Sequence, residues 1–236
     1  MQQILDNFFT TNQHQTITVT PEQDITPDWV LHNSHIPYLP LLLDAPYSEM
    51  LKEAEALDHL YVEHRGTDSA GWSSLSIHGI TSQHTDHYQV YPEYSHLDND
   101  SVPYNWTEIA PRCPVTTAYF RNQFPYTVYH RVRFMRLAPG GYIIPHSDSP
   151  DLGLRAVNIS LNNPRHCDFV FENSGIVPFR DTGSTIMVAN GFTHAVRNNS
   201  LHHRYHIIVH GYSTDARFGS VLTKSYQALM PKVVSI

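Results

Sequence analysis

The chain has 236 residues, with 22 acidic side chains against 15 Lys plus Arg and a formal net charge of −7. That length suits one large domain with a sizeable core. The acid excess argues against a nucleic-acid footprint, which needs a basic face, and no apolar run reaches membrane-spanning length.

The opening MQQILDNFFTTNQHQ lacks the basic start and long apolar run of a signal peptide, and Cys113 and Cys167 make no disulfide framework. A cytoplasmic, reducing setting is therefore expected. The first forty-odd residues are rich in polar residues, Thr and Pro and read as extended chain or short strands. YSEMLKEAEALDHL, 47 to 60, is the best helix, with Leu51, Ala54, Leu57 and Leu60 at helical spacing. WSSLSIHGI, 72 to 80, reads as a strand, and 81 to 105 as loops. WTEIAPRCPVTTAYFRNQF, 106 to 124, reads as one or two short helices broken at prolines.

From about 126 the character changes. YTVYHRVRFMRLAP, GYIIPH, LRAVNISLN, CDFVFE, IVPFR, STIMVAN, THAVRN and RYHIIVHGY follow one another. Each is short, β-branched or aromatic, and bounded by Gly, Pro, Asn or Asp. These eight candidate strands predict a mainly β fold with flanking helices, a sandwich or jelly-roll barrel. The organisation expected is a single domain over 1–236. Residues 1–125 form a helical N-terminal extension packed on the barrel, 126–212 the barrel core and 213–236 a C-terminal tail. No Gly/Ser tract separates them.

The motif His-x-Asp occurs three times, at His84-Asp86, His96-Asp98 and His146-Asp148. Composition alone predicts roughly one match, so context decides. The first two lie in polar, turn-like sequence and read as surface loops. His146-Asp148 ends the apolar run YIIPH, and residues two apart on an extended chain share a face. With His194, in ANGFTHAVRN, the pair makes two histidines and a carboxylate, the facial triad that suits non-haem Fe(II).

Two arginines extend the pattern. In RYHIIVHG, residues 204, 206, 208 and 210 share one face. If Arg204 points inward, so do His206 and His210. A buried guanidinium is costly unless it meets a carboxylate, which its planar fork fits bidentately. Arg155 opens the third strand and is expected to face inward as well. A metal triad with buried arginines describes a site for a chelating dicarboxylate.

The segments FMRLAPGGYIIPHSD, LRAVNISL, GSTIMVANGFTHAVRN and HHRYHIIVHG resemble the Fe(II)- and 2-oxoglutarate-dependent oxygenases, most closely the aspartyl/asparaginyl β-hydroxylase-like branch. The resemblance spans about 130 to 212 and implies a double-stranded β-helix. It also implies iron ligation by His146, Asp148 and His194, and capture of the distal carboxylate of 2-oxoglutarate by Arg204. Arg155 matches a second arginine of this branch, near the chelating end of the co-substrate. The reaction implied consumes O₂, decarboxylates 2-oxoglutarate to succinate and CO₂, and hydroxylates a substrate C–H. The substrate implied is an amino-acid residue of a protein or peptide, or a free amino acid. Some members of the branch carry glycine where this chain has Asp148. A co-substrate-contacting serine of the branch is replaced here by Met135. The EHRG…GWSSLSIHG stretch also resembles small oxygenases of phages, consistent with a phage or bacterial origin.

Arg133, which shares a strand face with Met135, is a candidate substrate contact, as are His210 and Asn158. Ser160, Arg65 and Trp72 are weaker candidates. Two other readings stay open. One is a cupin-type metal enzyme that does not use 2-oxoglutarate. The other is a non-catalytic jelly-roll module, which leaves the inward arginines unexplained. Zinc-hydrolase signatures are absent. Small-molecule, peptide or protein substrates are the expected partners, with oligomeric state open.

Overall fold

A computed structural model describes residues 2–22, 24–65 and 69–230. Its centre is one long antiparallel strand, β5 (Val128–His146). The sequence suggests two strands here, but they are continuous through Pro139-Gly140-Gly141. Gly140 has φ +72°, a left-handed turn that favours glycine. A Cβ at Gly141 would stand 2.8 Å from the Ala138 carbonyl and 2.9 Å from that of Ala70. These two glycines let the strand bend without breaking.

The two halves of β5 lead into different walls. The first pairs with β11 (Arg204–Tyr212), which pairs in turn with β6 (Ala156–Ser160), β9 (Ser184–Val188) and β1 (Tyr38–Pro40). The second pairs with β10 (His194–Asn198), then β7 (Cys167–Phe171) and β8 (Gly175–Ile176). This order, with one strand shared by two walls, is the antiparallel double-stranded β-helix expected from the strand count. β3 (Ser69–Gly79) runs along the free edge of β5 and carries the short strands β2 (Val62–Glu63) and β4 (Asn105–Trp106). So residues before 126 supply strands of the sheet as well as helices.

Alternation places the apolar side chains in two layers. Leu137, Ile143, Ala156, Phe169, Phe171, Val188 and Val196 pack between the walls. Val132, Phe134, Val157, Ile159, Ile207 and Val209 point the other way. They form the larger core with the helices α2 (Pro27–His32), α3 (Tyr47–Ala56), α4 (Pro114–Asn122) and α5 (Ala216–Leu229). The helix α1 (Gln2–Asn12) lays Leu5 and Phe9 on Val170 and Ala195.

Three helices correct the sequence reading. α1 and α2 fall where extended chain is expected, and α5 replaces most of the expected tail, whose residues 231–236 lie outside the described ones. Their signals are legible afterwards. Thr26 caps α2 by accepting from the Trp29 amide at 3.1 Å, with Pro27 at the first helical position. Asp215 caps α5 in the same way from the Arg217 amide at 2.9 Å, and Phe218, Leu222 and Tyr226 follow at i+4 spacing. α4 has no cap of its own. The carboxylate of Glu53, on α3, accepts from the amides of Val115 (2.7 Å) and Thr116 (2.9 Å) and from the Thr116 hydroxyl (2.7 Å). Among the described residues, no helix is long and apolar enough to cross a membrane.

Candidate active site

His146 ends β5 and His194 opens β10, and the two are direct partners in the β5–β10 ladder. The sheet thus brings together residues far apart in sequence. Asp148 follows two residues after His146. One donor atom from each of the three lies within 4.8 Å of the others. Each imidazole is oriented by its own backbone. Nδ1–H of His146 donates to the Ile144 carbonyl at 2.8 Å, and Nδ1–H of His194 donates to the Phe192 carbonyl at 2.9 Å. With Nδ1 so engaged, Nε2 is the atom each ring offers to a metal, the usual outer-shell arrangement of a metal-binding histidine.

Asp148 is held from three sides. Its amide donates to the Asn190 carbonyl at 2.8 Å, and the Asn190 side-chain amide donates to Oδ2 at 3.0 Å. Oδ1 accepts from Nη1 of Arg65 at 2.6 Å and lies 3.5 Å from Nε2 of His146. Burial alone would raise its pKa. Hydrogen bonds from His146 and Arg65, with the charge of Arg65, outweigh that and hold it well below the usual carboxylate range. Burial, with the charge of His146, pulls His194 down to about 4. At neutral pH the set is therefore one carboxylate with a neutral buried imidazole, ready to bind a cation.

The triad opens into a cavity of about 1110 Å³ between the walls, just above the usual range for small-molecule sites. Arg204 lies in the same cavity and is only 7 % exposed. Its guanidinium meets the Asn163 side-chain oxygen (3.3 Å), Nδ1 of His206 (3.0 Å) and the face of Phe179, but no carboxylate among the described residues. Burial lowers its pKa to about 10. His206 is 1 % exposed, and burial and Arg204 hold it far below the ordinary imidazole range. It is therefore neutral. With Nδ1 accepting from Arg204, Nε2 carries the proton, and it has no partner. Ser160, opposite His206 in the β6–β11 ladder, has a buried hydroxyl that is also without one. A guanidinium, an imidazole N–H and a hydroxyl thus sit together with no anion among them. Met135 is the β5 partner of His206, so His206 offers a polar contact where Met135 cannot. Sequence alternation places His206 inward but does not single it out.

Asn158 is 5 % exposed on the cavity face of β6, between Ile208 and Ile186. Arg133 and His210 line the cavity from β5 and β11. Arg155 corrects the expectation of a buried guanidinium. The inward face of β6 is 156-158-160, so Arg155 is out of phase by one residue. It is exposed at the cavity rim and paired with Asp151. Asp86 corrects the reading of His84-Asp86 as a surface pair. Asp86 is half-buried and lies 3.5 Å from Nε of Arg65, and the carbonyl of Thr85 between the pair accepts from Arg133. His96 and Asp98 are exposed, as expected.

Residues 43–213 match the family model described as Aspartyl/Asparaginyl beta-hydroxylase. No curated protein matches the chain in sequence. Among solved structures, the chain is similar to a 2OG-Fe(II) oxygenase-family oxidoreductase from Burkholderia pseudomallei, with 12% identity over 75% of this chain and 87% of that one and a TM-score of 0.45. It is also similar to a Pseudomonas putida prolyl-4-hydroxylase, with 13% identity over 75% and 92% of the two chains and a TM-score of 0.40. A third is a Trichoplax adhaerens prolyl hydroxylase solved with a hypoxia-inducible-factor peptide, with 12% identity over 88% and 92% and a TM-score of 0.41. With a facial His-Asp-His set on a double-stranded β-helix and a family match over well more than half its length, this chain belongs to the aspartyl/asparaginyl β-hydroxylase family.

Proposed function

We propose that the chain is an Fe(II)- and 2-oxoglutarate-dependent dioxygenase that hydroxylates an unactivated C–H of an amino-acid residue in a protein or peptide, or of a free amino acid. The observation that carries this reading is Arg204. It is buried in the cavity of the triad, is without a carboxylate, and is flanked by the unpartnered donors of His206 and Ser160. A buried cation without an anion costs stability, and the distal carboxylate of 2-oxoglutarate supplies one.

The donor set fits iron. His146, Asp148 and His194 would hold Fe(II) on one face, leaving other positions open for the 2-oxo acid and O₂. Bound iron supplies the oxidising chemistry, with 2-oxoglutarate as the two-electron reductant that ends as succinate and CO₂. The protein's part is position and environment. Ile144 and Phe192 carbonyls fix the imidazoles, Asn190 fixes the carboxylate, and Arg204 with His206 orients the co-substrate. Phe169, Ile143 and Val196 line the cavity with apolar surface that limits water around the reacting atoms.

A metal site that did not use 2-oxoglutarate, or a non-catalytic jelly roll, would leave Arg204, His206 and Ser160 unsatisfied. The test is anaerobic. Fe(II) and then 2-oxoglutarate are added to metal-free protein, and the weak visible charge-transfer band of a chelated 2-oxo acid is followed. The band should form in the wild type and fail in Asp148→Ala and Arg204→Ala. Its absence from the wild type, with no metal retained, would overturn the proposal.

A further inference from the structure

A second group of arginines faces the same cavity at the other end of β11. Arg131 and Arg133 stand on β5, opposite His210 and Ile208, whereas Arg204 stands opposite Leu137. Four residues separate Arg204 from Ile208 along β11, about 13 Å at strand spacing. The two groups are electrostatically separate. Arg131 and Arg65 act on Arg133, and Arg65 acts on Arg131, whereas the shift of Arg204 comes from its burial. An anion held at Arg204 therefore leaves the second group uncompensated.

Arg133 is 5 % exposed, its Nε has no partner, and its one hydrogen bond goes to the Thr85 carbonyl. Arg131 also lines the cavity, and its guanidinium has neither a hydrogen-bond nor an ion-pair partner among the described residues. Among the described residues, the carboxylates that act on these arginines are Asp86 and Asp148, and Arg65 contacts both. Among the described residues, three guanidinium groups thus meet two carboxylates, an excess of one positive charge beside the triad. The neighbouring His64 and His210 are held neutral by burial and by these same arginines, so they do not alter that balance. Water is a poor substitute for an anion at an enclosed guanidinium.

We infer that Arg131 and Arg133 form a substrate subsite that takes a single carboxylate, and that the substrate is an acid bound through that group with a C–H directed at the triad. A monoanion matches the one excess charge, and the planar fork of arginine fits a carboxylate bidentately. The inference rests on the oxygenase reading for what the subsite serves. The carboxylate has two sources, the α-carboxylate of a free amino acid or an acidic side chain within a peptide.

Calorimetric titrations separate these sources. The first arm compares the proteinogenic amino acids as free acids with their α-amides. The second compares blocked tripeptides carrying central Asp or Glu with their Asn or Gln counterparts. Each titration uses protein loaded with Mn(II) and 2-oxoglutarate, and the anaerobic iron band is recorded in parallel. The expected result is at least a tenfold preference for carboxylate over amide in one arm, lost in Arg131→Met and Arg133→Met. Both variants should melt at or above the wild-type temperature and still form the band. A band without any carboxylate preference, or a preference that survives both substitutions, would overturn the subsite. A preference that depends on Arg131 and Arg133 in protein that forms no band would uphold the subsite and sink the oxygenase reading.

Discussion

Arg65 and Asp148 form an ion pair through Nη1 and Oδ1 at 2.6 Å, and that same oxygen faces Nε2 of His146 at 3.5 Å. Arg65 and a cation held by the triad therefore compete for one carboxylate oxygen, and their charges repel. The pair is about a quarter to a third exposed, so its strength is that of a partly screened bridge, about 1 kcal/mol or less. Arg65→Gln should tighten binding of Mn(II) several-fold, read as free Mn(II) by electron paramagnetic resonance. Weaker binding would mean that Arg65 orients Asp148 more than it competes for it.

Arg204→Met removes a buried cation that has no carboxylate. The metal-free variant should melt at or above the wild-type temperature, because an uncompensated charge leaves the interior. In return, 2-oxoglutarate should lose its hold. A truncated partner of a buried charge pair typically costs about 3 kcal/mol, roughly a hundredfold in affinity. Melting curves of both proteins across a 2-oxoglutarate series check the two effects together. A variant stabilised by 2-oxoglutarate as strongly as the wild type would place the dicarboxylate elsewhere.

Glu53 joins two helices that are otherwise distant in sequence. It satisfies two amides at the start of α4 and lies where the helix dipole favours a negative charge. Glu53→Ala should cost about 1–2 kcal/mol of stability in urea unfolding, the range for loss of a helix cap. Glu53→Gln should cost less, since an amide oxygen still accepts.

Stability should fall as the solution is acidified from 6.5, the ordinary imidazole value, towards 4. Burial, with the charges of His130 and Arg121, pulls His78 down to about 4 despite a hydrogen bond that its ring donates to the His130 backbone. The unfolded chain protonates this residue first, so protonation favours unfolding across that window. For His78 the loss is on the order of 3 kcal/mol across the window. His78 packs against Trp106 and Tyr129, so His78→Phe keeps the ring contacts while removing the titration. Denaturant midpoints from pH 4 to 7 should show a shallower acid limb in that variant. An unchanged slope would mean that the other buried histidines carry it.

Period-two alternation made the barrel legible from β5 to β11, because each strand has one face in the larger core and one towards the cavity. The same rule pointed Arg204 and His206 inward and put His146 and Asp148 on one face. Arg155, expected inward as the residue that opens the strand, falls by the same alternation with Val157 and Ile159, on the face away from Ala156, Asn158 and Ser160. α1 and α2 were missed because their helical apolar residues, Leu5 and Phe9 or Trp29 and Val30, sit among polar residues and prolines. The caps Thr26 and Asp215 were the better signals. The part played by Asp86 was not legible, because it depends on a loop that folds back to Arg65 and Arg133, which lie on either side of it in sequence and distant from each other.

One consequence follows from the continuity of β5. Arg131 and Arg133 lie in its first half and His146 at its end, so a single covalent strut spans the interval from the carboxylate subsite to the metal ligands. Such a strut acts as a ruler for regioselectivity. The carbon presented to the iron is counted from the anchored carboxylate by the length and bend of one strand, not by the closure of a mobile lid. The Pro139-Gly140-Gly141 corner sets that ruler. Substrates of different chain length would then be oxidised at a constant distance from the acid group, not at a constant distance from their far ends.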